Sequence, residues 1–251
     1  MALSVSMTGE IAKLLKPGMR VASWGYPDMI APESMIRHMA GEHFPGIVYR
    51  SDSDAICQRH GLKPRLIPDA EAFFEMLGCE LDVYDIIQER GCEILCDLNE
   101  SIRTRSFKLP RIEEEAYDIV LDVGTAEHCF NIAQAVKNMA LLVKLGGHII
   151  HENPFNCGNH GFYSLNPTWY ADFYTANGFE IIECRLALKN GRGAEVPRTK
   201  RFVAVSEECN TLAVARRVEV RPFIFPVQSK YAKLIPAAGV RASDEKEVAN
   251  A

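Results

Sequence analysis

The chain lacks several things, and each absence narrows what it can be. Nowhere in its 251 residues does an apolar run reach the roughly eighteen positions needed to cross a bilayer, so no membrane partner is expected. Its eight cysteines contain no C-x-x-C pair, and Cys79, Cys92, Cys96 and Cys184 fall inside apolar runs where a thiol serves as a small hydrophobe. That usage points to a reducing, cytoplasmic setting. No lysine or arginine stripe with interleaved aromatics is present, and a formal charge of -5 repels a phosphate backbone, which argues against nucleic acid. The glycine-rich G-x-G-x-x-G turn of dinucleotide-binding folds is missing, as is any tight metal motif such as H-E-x-x-H. No metal is therefore expected.

What is there reads as one ordinary globular domain. Apolar residues make up 47% and charged residues 24%, enough to bury a real core. Residues 1–236 are expected to form that domain, and the small, charged, aperiodic residues 237–251 a disordered tail. Apolar runs at Met19 to Trp24, Cys79 to Ile86, Cys92 to Cys96, Tyr117 to Leu121, Gly147 to His151, Phe179 to Leu188 and Thr211 to Arg217 predict strands. Helical spacing predicts helices near Ala31 to Gly41, Ala70 to Leu77, Phe130 to Lys144 and after Asn166-Pro167. Residues 42–68 give no clear period, and the basic insertion before Thr211 could pair back on the sheet or hang free. The polar stretch Glu152 to Leu165 is long enough to form the rim of a site.

Strands alternating with helices predict a largely parallel sheet, whose ligands sit at the carboxyl ends of its strands. The residues there are Trp24, Gly25, Tyr26 and Asp28 after the first strand, Asp85 after the second, and Asp97-Leu98-Asn99 after the third. The fourth ends in Asp122-Val123-Gly124-Thr125-Ala126-Glu127-His128, and the fifth in His151-Glu152-Asn153-Pro154. An acid ending the second strand can accept both hydroxyls of a ribose.

The run from Asp97 to Phe179 resembles the class I S-adenosylmethionine-dependent methyltransferases. Carrying the resemblance are Asp97-Leu98-Asn99, Tyr117-Asp118-Ile119-Val120 leading into Gly124-Thr125-Ala126-Glu127-His128, and Lys144-Leu145-Gly146-Gly147. Asn159-His160-Gly161-Phe162-Tyr163 before an Asn-Pro helix start is similar to one loosely characterised bacterial branch. The resemblance implies a Rossmann-like, doubly wound, mostly parallel seven-stranded sheet with helices on both faces, S-adenosylmethionine as cofactor, and a small-molecule acceptor such as a sugar hydroxyl.

It further implies that Asp85 binds the ribose and Asp97 the adenine amino group, that Leu98 flanks the ring, and that Asp122, Gly124 and Thr125 line the methionine half. The family's glycine-rich first turn is reduced here to Gly25, with Trp24 and Tyr26 beside it able to approach a sulfonium, core packing being the alternative and favoured role of Trp24. His160, then His128, then His151 are the candidate bases. Two rivals stay open: a nicotinamide-dependent oxidoreductase or epimerase, and a non-catalytic member that binds a ligand or protein. The sequence names neither the acceptor nor an oligomeric state.

Overall fold

A computed structural model describes residues 2–103, 114–188, 192–198, 200–203, 207–232 and 234. The expected tail at 237–251 lies outside the described residues.

The sheet grows outward from two strands whose residues are buried on both faces, β1 (Arg20–Trp24) and β4 (Tyr117–Asp122). Continuous burial of that kind is the mark of a central parallel strand. On one side β1 pairs in parallel with β2 (Glu80–Asp85), which pairs with the short β3 (Ile94–Leu95). On the other side β4 pairs in parallel with β5 (Val143–Pro154). Beyond β5 come β8 (Cys209–Arg217), β6 (Phe179–Leu188) and β7 (Gly193–Glu195), with β8 antiparallel to both β5 and β6. The order β3-β2-β1-β4-β5-β8-β6-β7 has the chain winding away in both directions from the β1/β4 pair. Such a reversal opens a crevice at the carboxyl ends of the strands.

The sheet thus has eight strands where seven are expected. The extra one is the basic insertion, whose Gly193–Glu195 segment pairs back onto Arg185–Ala187 of β6. A second difference concerns the helix expected to run to Lys144. Helix α5 (Ile132–Leu142) stops earlier and β5 begins at once, because Val143 already pairs with Tyr117. Between that pair and Ile119 with His148 the β5 side carries three more residues than β4, so Lys144 to Gly147 forms a bulge rather than a helix end.

Helices cover both faces. Helix α1 (Val5–Leu14) is capped by the Ser4 hydroxyl, which accepts from the Met7 N–H at 3.1 Å, and α4 (Ala70–Met76) by Asp69. With α2 (Glu33–Ala40) they bury Met7, Ile11, Ile36, Phe73 and Phe74 against Val21, Val83 and Ile119. On the other face α5 and α6 (Pro167–Ala176) pack Val136, Met139, Tyr170 and Tyr174 on Trp24, Val120 and Ile149. Helix α7 (Ser229–Ala232) is a single turn. No helix among the described residues is long and apolar enough to cross a membrane.

The unread stretch 42–68 holds a 3-10 turn at Gly41–Gly46, helix α3 (Ser53–Arg59) and one bridge between Tyr49 and Pro68. Ile56, Cys57 and Ile67 form a small buried cluster there, and polar contacts hold the rest. Arg50 donates to Asp52 at 2.7 Å and to Asp69 at 3.1 Å, while buried Asp28 receives Arg90 and His60.

Candidate functional site

At the carboxyl ends of β1, β2, β4 and β5 lies a cavity of about 560 Å³. Its wall carries Asp85 and Ile86 after β2, and Cys96, Asp97, Leu98 and Asn99 after β3. Val123, Gly124, Thr125, Glu127 and His128 follow β4, and Glu152 comes from β5. His160 reaches the same space from the loop beyond, and Ser4 from the start of α1.

The turn after β4 is built by one carboxylate. Asp122 is fully buried, and its Oδ1 accepts the N–H groups of Thr125 at 2.9 Å and Ala126 at 3.0 Å, curling the chain into a 3-10 turn at Ala126–His128. Gly124 completes the turn at φ 83°, in the left-handed region that a side chain resists. The Thr125 hydroxyl ties it to the Trp24 carbonyl at 2.6 Å. As a result the backbone of Gly124 and Thr125 faces the cavity while the Asp122 side chain points into the protein.

Behind the wall runs a buried polar network. Asp122 Oδ2 accepts from His151 Nδ1 and from the Asn153 amide, both at 2.8 Å. Since a carboxylate only accepts, Nδ1 carries the proton and His151 Nε2 accepts the Tyr174 hydroxyl. The Asn153 amide also donates to Glu127 Oε2 at 2.9 Å, and Tyr170 donates to Asn153 Oδ1 at 2.6 Å. Burial pushes the Asp122 carboxyl upward, but the hydrogen bonds from His151, the Thr125 N–H and the Asn153 amide hold it below the usual range. Burial and the neighbouring Asp122 charge push Glu127 up to about 8. Glu127 Oε1 is buried and has no hydrogen-bond partner among the described residues.

The sequence-predicted residues divide into two groups. Asp85, Asp97, Leu98, Gly124, Thr125, His128 and His160 meet at the cavity. Trp24, Gly25, Tyr26, Asp122 and His151 are not among its lining residues. Trp24 is buried in the core, edge-on to the Tyr84 ring at 5.3 Å, because the side of β1 it occupies is covered by α5 and α6. Tyr26 turns the other way: its hydroxyl donates to Asp69 at 3.0 Å and accepts the Ala70 N–H at 3.0 Å. Gly25 is held against β2 by its N–H to the Tyr84 carbonyl at 2.7 Å. His151 is locked between Asp122 and Tyr174.

Ile86, Ser4 and Asn210 reach the cavity without a sequence signal that singled them out. Ile86 follows the acid of β2 as an apolar side chain left 66% exposed on the cavity wall. Ser4 and Asn210 grip the two oxygens of Glu152, fixing it at the rim. Asn99 accepts from the Asn131 N–H at 2.8 Å, linking the β3 loop to the start of α5. Burial raises the thiols of Cys129 to about 12 and Cys157 to about 11, so neither supplies a thiolate nucleophile.

His160 is placed by the close approach of its loop to Glu127. The Phe162 N–H donates to the Glu127 carbonyl at 2.8 Å, and a Cβ on Gly161 would lie 2.8 Å from that oxygen and 2.9 Å from Glu127 Cγ. Gly161→Ala is accordingly expected to lift the loop, costing about 1–3 kcal/mol. A thermal melt should show a fall of several degrees, and an unchanged melt would mean that the loop is not packed in this way.

The fold and cavity together define a Rossmann-like α/β domain with an acid-lined crevice at its switch point. No family model matches the chain, and no curated protein matches it in sequence. Among solved structures it is similar to the 1,6-didemethyltoxoflavin-N1-methyltransferase of Burkholderia thailandensis, at 15% identity over 84% of this chain and 76% of that one, with a TM-score of 0.44. A SAM-dependent methyltransferase from Aquifex aeolicus is similar at 10% identity over 86% and 92% of the two chains, with a TM-score of 0.40. TehB from Haemophilus influenzae is similar at 12% identity over 84% and 61%, with a TM-score of 0.40. These are distant likenesses of architecture, and the fold assignment stands on the strand order itself.

Proposed function

We propose that the protein is an S-adenosylmethionine-dependent methyltransferase acting on a small-molecule acceptor. The observation that carries this reading is the joint placement of Asp85, Asp97, Leu98 and the Gly124–Thr125 turn around one cavity of about 560 Å³. That volume lies within the range of small-molecule and cofactor sites.

The donor set fits an adenosine. Asp85, at the end of β2 and nearly buried, accepts only weakly from the Ile87 N–H at 3.3 Å and keeps acceptor capacity for ribose hydroxyls. Leu98 and Ile86 supply apolar surface for the base, with Asp97 beside them as an acceptor for an exocyclic amine. Gly124, half-buried on the cavity wall, puts no side chain between its backbone and a ligand. When bound, S-adenosylmethionine supplies a methyl group activated on a sulfonium. The chain's task is then to hold donor and acceptor in line and keep water out. His160 and His128, half-exposed on the cavity wall with ring centroids 5.3 Å apart, are the bases this reading assigns to a protonated acceptor.

A thermal-shift titration with S-adenosylhomocysteine, S-adenosylmethionine, NAD and NADP tests the reading. At a hundredfold excess over its Kd, S-adenosylhomocysteine should stabilise the protein by about 2.7 kcal/mol, a rise of roughly 5–10 °C. A rise with a dinucleotide alone would replace this function with redox chemistry. Silence with all four would leave a binding protein of the same fold.

A further inference from the structure

Glu127, His128 and His160 lie on the cavity wall with their ligand atoms converging. Glu127 Oε1 is 3.5 Å from His160 Nε2 and 3.9 Å from His128 Nε2, and all three atoms lie within 4.8 Å of one another. We propose that these three side chains bind one divalent first-row transition-metal ion of the zinc type, with its remaining coordination position facing the cavity.

The spacing suits such an ion. Ligands at about 2.0–2.2 Å from a tetrahedral centre stand roughly 3.3–3.6 Å from one another, so the observed separations close by small side-chain movements. At their present distances neither imidazole hydrogen-bonds the carboxylate, and Oε1 has no hydrogen-bond partner among the described residues. A buried acceptor left in that condition is costly, and a cation at this point would satisfy it. Two imidazoles and a carboxylate select zinc-like ions, whereas magnesium and calcium prefer all-oxygen shells. Three protein ligands with one open position is the composition of a reactive rather than a purely structural zinc site.

The surroundings are those of a metal ligand set. The other Glu127 oxygen is fixed by the Asn153 amide, itself held by Tyr170 and Asp122, so the carboxylate is oriented from behind. His160 is pinned through the docking of its loop on the Glu127 backbone. Half-exposure of both histidines gives the ion an entry path from the cavity. Of the neighbouring histidine and acid at the end of β5, His151 is committed to Asp122 and Tyr174, and Glu152 to Ser4 and Asn210. The site stands against the metal-free expectation from sequence because its carboxylate and second imidazole are brought together by a loop crossing, not by a local motif. With a metal bound, the imidazole lone pairs are used in coordination, so the histidines would position an oxygen or nitrogen donor of the acceptor instead of accepting its proton.

The inference does not rest on the methyltransferase reading, and its test is read without cofactor. Tag-free full-length protein is stripped with a chelator, dialysed and titrated calorimetrically with Zn²⁺, then loaded with Co²⁺ for visible spectroscopy. One equivalent of Zn²⁺ per chain and the intense visible bands of tetrahedral cobalt are expected. His128→Ala and His160→Ala should each weaken Zn²⁺ binding at least about 100-fold, the upper end of what loss of a merely supporting partner costs. Glu127→Gln, nearly isosteric, should weaken it similarly, and metal-free melts of each variant check folding. His38→Ala, on α2, should bind like wild type. The proposal is overturned if wild type takes up no more zinc than the His128→Ala/His160→Ala double variant, or if His38→Ala removes the binding.

Discussion

Asp122→Ala is expected to destabilise the protein by about 3–5 kcal/mol, lowering the melting temperature by roughly 6–20 °C. Four donors converge on this one buried carboxylate: two backbone N–H groups, a histidine ring and an amide. Alanine leaves all four without an acceptor in a place water does not reach. Asp122→Asn separates the contributions. Its carbonyl can still accept the Thr125 and Ala126 N–H groups, and its new NH₂ can face His151 if that ring moves its proton to Nε2. The same NH₂ then meets the Asn153 amide donor to donor, so a smaller loss of about 1–3 kcal/mol is expected. Melts of the two variants by circular dichroism check the order. An alanine variant melting within a degree or two of wild type would show that the network contributes little to stability.

The role of Asp122 shows where sequence reasoning reaches and where it stops. The alternation of apolar runs located the strands and helices that bury the core, and the residues following each strand marked the level of the cavity. Asp85, Asp97 and Gly124 were legible on that ground, and His160 through the long polar loop read as a rim. Side-chain direction was not. The chain turns immediately after the strand, so Asp122, the last residue of β4, points into the protein while Gly124, two residues on in the turn, lies on the cavity wall. The same ambiguity hid the lateral turn of Tyr26, whereas the burial of Trp24 agrees with the core-packing role its sequence context also offered. His151 looked like a base at a strand end, but β8 on one edge and α6 above it cover that position completely. Residues 42–68 gave no pattern because their elements are one short helix and a 3-10 turn, and both the ion pairs of Arg50 with Asp52 and Asp69 and the small cluster of Ile56, Cys57 and Ile67 join positions whose spacing means nothing locally. The bulge at Lys144 to Gly147 was read as a helix stop because lysine and glycines signal both.

Asp85→Asn should act on cofactor binding and on folding with opposite signs. Asparagine cannot accept two ribose hydroxyls as an ionised carboxylate does, and hydrogen bonds to a charged group contribute about 1.5–3 kcal/mol. The Kd for S-adenosylhomocysteine is therefore expected to rise roughly 10–150-fold. The free protein should not suffer. Burial, aided by the fields of Glu93 and Glu89, raises the Asp85 carboxyl above its ordinary value, against weaker lowering by the Ile86 and Ile87 N–H groups. For an acid whose folded pKa is raised, the folded state holds the proton through the window between the two values, so ionisation above that window opposes folding. At neutral pH a neutral asparagine removes that opposition, and the melting temperature of the free variant should stay level or rise. The sign also fixes the pH dependence of binding: wild-type affinity should fall as pH drops through the raised Asp85 value, at higher pH than an ordinary aspartate would give, and the variant should lack this limb. Calorimetric titration across pH with matched melts measures both effects. A carboxylate present only to finish a strand would show neither the weakened binding nor the lost pH limb, and wild-type affinity in Asp85→Asn would place the adenosine elsewhere.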